Sequence, residues 1–163
     1  MTTLAPRRLT DEEQRTWRAF QRATRLLFAL LDHELLRDAG MAPGAYELLV
    51  LLAEAPQRAL RMNELAEATL TSPSRISHAV ERLAALGWVE RTSCPSDRRG
   101  WLAVLTDDGY DALGAAAPRH VEHVRTHLFD GLSEQDTADL RRISETVLAR
   151  LTASVGDSGD CPG

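Results

Sequence analysis

All 19 basic side chains of this 163-residue chain are arginine, and two groups of them stand in patterns that can do chemistry. The first group runs from Ser72 to Arg82. Helical spacing puts Ile76, Val80 and Leu83 on one face of that stretch and Ser74, Arg75, His78 and Arg82 on the other. With Ser72 and Ser77, that second face offers short hydroxyls and two fixed positive charges. Such a helix suits base edges and phosphates in a DNA major groove. The second group is Asp97, Arg98 and Arg99, set among the turn formers Pro95, Ser96 and Gly100. Arginine at a hairpin tip can reach into a minor groove, where A·T-rich stretches concentrate negative potential. A plainer reading stays open for each group. The helix face is then merely solvated, and Asp97 makes an Asx turn that leaves two arginines in water.

A third constellation is the row His120, His123 and His127, whose spacings of three and four share one side of a helix. His123 and His127 have the spacing of two ligands to one zinc, with Glu122 and His33 available to complete a shell, but no cysteine stands nearby. Cys94 has Arg91 and Arg98 for neighbours, which would favour a thiolate. The only other cysteine is Cys161, far away in a Gly-rich stretch, so no structural disulfide is expected and Cys94 is read as an ordinary turn residue.

The elements that must position these groups follow from periodicity and punctuation. Thr10 to Glu13 forms a capping box, and Trp17, Phe20, Thr24, Leu27, Phe28, Leu31 and Leu35 then recur at spacings of three and four as far as Gly40. Pro43-Gly44 opens a second helix with an apolar centre, closed by Ala55-Pro56. Met62, Leu65 and Ala66 mark a short third helix. Ser72-Pro73 starts the fourth, where the serine oxygen is expected to cap free N–H groups, and Gly87 ends it. Trp88 to Glu90 opens a strand, Leu102 to Leu105 supplies its partner, and Ala59 to Arg61 adds a short third strand. A fifth helix from Thr106 toward Phe129 should kink or break at Pro118. Ser133 starts a sixth, with Leu140, Ile143, Val147 and Leu151 on one face. Residues before Thr10 read as a loose arm, and those from Val155 as a disordered tail. The fold class is mainly α with a small β-wing.

Composition narrows the function. The net charge of −5 weighs against nucleic acid at first sight. From Thr71 to Trp101, however, five arginines stand against three acids, a local excess of +2, and the acids gather in the flanking helices. No glycine-rich phosphate loop, nucleophile motif or pair of cleft carboxylates argues for an enzyme, and no cofactor is expected. No apolar run approaches a membrane span and no leader pattern opens the chain, so a cytoplasmic protein is expected.

The consecutive run from Leu65-Ala66 through Ser74-Arg75-Ile76-Ser77, Arg82-Leu83, Gly87-Trp88-Val89-Glu90-Arg91 and Asp97-Arg98-Arg99-Gly100 to Leu105-Thr106 and Gly109 resembles the MarR (multiple antibiotic resistance regulator) family. Cys94 and Leu70 depart from its usual pattern. The resemblance implies one subunit with a winged helix-turn-helix over residues 43–105 and dimerisation helices over 10–40 and 106–154. It implies a homodimer on a palindromic operator in double-stranded DNA, with Arg99 at the minor groove and Asp97 bracing it. It also implies repression relieved by a small aromatic or phenolic acid. Arg15, Trp17, Arg18, Phe20, His33, Tyr46 and His120 are the candidates to hold such a ligand, since aromatic walls with an arginine suit it; Trp17 and Phe20 serve equally as dimer packing. Two other readings remain: a winged-helix adaptor that binds protein, and a zinc-responsive regulator using His120, His123 and His127.

Overall fold

The structure is a computed structural model that describes the backbone of residues 8–94 and 97–156 and the side chains of residues 8–93 and 100–153. Helix α1 (Asp11–Ala39) begins at the expected box. Thr10 Oγ1 accepts from the Glu13 amide at 3.2 Å and Glu13 Oε2 accepts from the Thr10 amide at 2.7 Å. It ends on Gly40, whose φ of 61° is the left-handed conformation that glycine adopts without strain. Helix α2 (Pro43–Glu54) buries Leu48, Leu49 and Leu52. A 3-10 turn (Pro56–Arg58) follows, in which Gln57 and Arg58 both have positive φ. Arg58 is held there by Asp107, 3.1 Å away, and by the ring of Tyr110, whose centroid lies 4.0 Å from the guanidinium carbon.

Strand β1 (Ala59–Arg61), helix α3 (Met62–Ala68), helix α4 (Pro73–Ala85) and strands β2 (Val89–Cys94) and β3 (Asp97–Leu105) complete the winged unit. The sheet is antiparallel in the order β1-β3-β2, so the third strand expected at Ala59 to Arg61 forms and pairs with β3. Strand β3 starts five residues before the expected Leu102, pairing Ser93 with Trp101 and Cys94 with Asp97 across a register shift. One core joins the parts: Leu65 of α3, Val80 and Leu83 of α4, Val89 of β2, Ala103 and Leu105 of β3, and Leu113 of the next helix. Burying a leucine or valine contributes about 1.5–3 kcal/mol, so this cluster sets the angle of α4 on the sheet.

Three sequence expectations are corrected. Ser72 stands at the N-cap of α4, but its side chain caps nothing; its hydroxyl lies 3.4 Å from that of Ser74, while the Ser72 carbonyl accepts from Ile76. Helix α5 (Asp107–Val124) runs through Pro118 without a break, and the irregular stretch comes later, as a π-helical turn (Arg125–Phe129) carrying His127. The chain divides into two compact units, the second beginning at Val124. In that second unit helix α6 (Glu134–Gly156) starts where Ser133 Oγ accepts from the Asp136 amide at 3.1 Å. It continues through Val155 and Gly156, which were expected in a disordered tail; residues from 157 on, the arm before Arg8, and the Cys94 side chain lie outside the described residues.

Candidate nucleic-acid interface

Helix α4 is built to present one face. Ile76, Val80 and Leu83 are buried, and Ser72, Ser74, Arg75, His78 and Arg82 are exposed, with Ser77 half-buried between the two sets. His78 Nδ1 sits 3.4 Å from Glu81 Oε2, and Glu81 Oε1 in turn accepts from Arg91 Nη1 at 3.3 Å, which ties α4 to β2. Arg91 lies 5.1 Å from the ring centroid of Trp101 on β3. Sequence reasoning left Glu81, Arg91 and Trp101 without this role, because only the folded sheet brings them together. The side chains of Asp97, Arg98 and Arg99 lie outside the described residues; their backbone forms the start of β3, at the outer end of the wing.

The base of the wing is locked to α4 and α5 by polar contacts. The Thr106 hydroxyl donates to the Gly87 carbonyl at 2.7 Å and accepts from the Gly109 amide at 3.0 Å. The Thr106 amide donates to the Trp88 carbonyl at 3.1 Å. Helix α4 and the wing therefore share one support.

The residues expected to share a ligand pocket do not come together within one chain. Trp17 stacks on Phe20 with centroids 6.3 Å apart, and both are exposed on α1. Arg15 pairs with Glu12, Arg18 with Gln14, and His33 is exposed. Tyr46 and His120 meet elsewhere, their rings 4.6 Å apart. His120 borders a cavity of about 250 Å3 with Leu35, Ala116 and Arg119. Trp17 precedes Leu35 by about 27 Å of helix at 1.5 Å per residue, which separates the two aromatic groups. Burial pushes the Tyr46 hydroxyl above its ordinary value; burial, then the neighbouring charge of His123, pushes His120 below its own.

Carboxylates near the histidine row also differ from expectation. His123 is flanked by Asp38, 2.8 Å from Nε2, and by Glu34, 3.3 Å from Nδ1, neither of which was a candidate. Hydrogen bonds from Arg37, then His123 and Arg119, hold the Asp38 carboxyl well below the usual carboxylate range.

Comparison with known proteins places this architecture. A family model described as MarR family matches residues 39–100. The crystal structure of Sco3205 from Streptomyces coelicolor, a MarR family transcriptional regulator in complex with DNA, is 50% identical. It aligns over 88% of this chain and 90% of that one with a TM-score of 0.84. The chain belongs to the MarR family. AbsC, another MarR family regulator from the same organism, is 38% identical over 91% of this chain and 99% of its own, with a TM-score of 0.85. The HTH-type transcriptional regulator PecS of Dickeya dadantii (strain 3937) is 27% identical over 85 residues, so the chain spans about half the length of that curated relative, 51%. Members of the MarR family are transcriptional regulators and not enzymes, and this chain is a winged helix-turn-helix transcriptional regulator. No helix among the described residues is long and apolar enough to cross a membrane.

Proposed function

We propose that this MarR-family chain acts as a homodimer that binds a palindromic operator, represses the adjacent genes and is released by a small aromatic or phenolic acid. The observation that carries the reading is α4, whose exposed side holds Arg75, His78 and Arg82 while its apolar side is fixed in the core of the wing's own support. Ser72, Ser74 and Ser77 sit at the end of the helix that would meet base edges, and Arg82 lies where a phosphate contact is natural. The reading assigns Arg99 to the minor groove and gives Asp97 the task of bracing it, with Arg98 adjacent in sequence. That Sco3205, 50% identical, is seen in complex with DNA supports DNA binding here.

For the effector, the cavity beside His120 is a better seat than the Trp17 end of α1. It has the Tyr46–His120 ring pair beside it for an aromatic body, and Arg119, 3.2 Å from Asp38, on its wall. A ligand there releases DNA only by binding more tightly to a dimer whose two α4 helices are wrongly spaced for successive grooves. The decisive experiment is a mobility shift on the DNA upstream of the gene, repeated with phenolic acids added. Retardation that the acid reverses is expected. Absence of any retarded species at low salt sinks the reading, and retardation unaffected by every acid tried sinks its effector half.

A further inference from the structure

A duplex held by both α4 and the wing must lay one sugar–phosphate ridge across the junction between them. The groove that takes a helix and the neighbouring groove that takes a hairpin tip are separated by that ridge alone. At this junction the surface is notched. A cavity of about 270 Å3 is lined by Arg61, Asn63, Pro73, Ser77, Arg91 and Trp101, drawn from β1, α3, α4 and both long strands.

Arg91 is the unusual member. One corner of its guanidinium is used, Nη1 lying 3.3 Å from Glu81, and the half-exposed ring of Trp101 packs near it. Its Nε–H is buried and has no hydrogen-bond partner among the described residues. A buried donor left without its bond is unfavourable, and a ligand that supplies the acceptor relieves it. A guanidinium matches a phosphate by offering two N–H groups side by side, which a single carboxylate oxygen at one corner does not satisfy.

We propose that this notch seats one backbone phosphate of bound DNA, with Arg91 as its charged partner and Asn63 and Ser77 as neutral donors on its walls. Glu81 holds Arg91 in place in free protein. This rests on the DNA-binding reading, moves Ser77 from the base edges to the backbone, and adds Asn63 and Arg91, which lie outside α4 and the wing tip.

The test is the affinity for a mixed-sequence duplex over a salt series, followed by fluorescence anisotropy. Each phosphate contact contributes about 0.9 to the slope of log affinity against log salt concentration, so Arg91→Gln is expected to lower the slope by about that much per engaged subunit. Arg91→Lys restores the slope but not the full affinity, since a point charge cannot make the paired bonds. Asn63→Ala, at an exposed position, weakens binding about threefold with the slope and the melting temperature intact. A steep wild-type slope that Arg91→Gln leaves unchanged, or an Asn63→Ala affinity equal to wild type, overturns the phosphate seat and leaves the DNA-binding reading standing. A wild-type protein that binds no duplex overturns both.

Discussion

Gly109 has no side chain because none fits. A Cβ there would stand 2.1 Å from the Trp88 carbonyl oxygen and 2.8 Å from Leu105 Cδ1. The oxygen cannot retreat cheaply, since it accepts the Thr106 amide, and Thr106 is itself bonded to Gly87 and Gly109. Gly109→Ala should therefore cost about 1–3 kcal/mol, visible as a melting temperature several degrees lower. Arg75 is the opposite case, exposed on the outer face of α4. Arg75→Ala should leave the melting temperature alone and relax sequence preference. Arg99→Ala should weaken operator and scrambled DNA alike, because a minor-groove arginine reads charge and width more than base identity. Binding curves for the two variants on both duplexes check this, and indistinguishable behaviour would refute the division of roles.

At the scale of elements, local signals were legible and distant partnerships were not. The capping box at Thr10, the stop at Gly40, the paired faces of α4 and the strand at Ala59 all follow from residues within a turn or two of one another. The Ser72 cap failed because a serine at the right position can still turn toward a neighbouring hydroxyl, here that of Ser74. Pro118 breaks nothing visible, since neighbouring packing can carry a helix past one missing N–H. His123 meets Asp38 across 85 positions of sequence, and Arg91 meets Glu81 through sheet register; no periodicity encodes either. The α1 cap also gives a pH expectation. Hydrogen bonds from the backbone and then the side chain of Thr10 lower the Glu13 pKa. A carboxylate depressed in the fold stabilises above its unfolded value, about 4.3, and that contribution disappears as pH falls through the folded value. Amide exchange at the first turn of α1 should be slower in wild type than in Glu13→Gln at neutral pH, with the two converging in acid. A gap that persists in acid would rule the cap out as its source.

For the molecule as a whole, the balance between an acidic total and basic reading elements makes sense only if the surfaces have separate tasks. The terminal helices carry apolar stripes at helical spacing, yet much of each stripe faces solvent. Phe20 and Phe28 of α1 are 56% and 61% exposed, and Ile143 and Val147 of α6 are 51% and 48% exposed. Regular stripes of that length are seldom left uncovered. The proposed homodimer would supply the cover, because a two-fold axis would bury the same face of both partners and repeat α4 at the spacing of a palindromic site. Light scattering should give twice the chain mass for wild type. Ile143→Glu with Val147→Glu should give the single-chain mass and lose most operator affinity while keeping its helical circular dichroism, since one reading helix cannot span two half-sites. Wild-type protein that stays monomeric at micromolar concentration, or a charged variant that remains dimeric and binds normally, would mean these stripes serve another partner.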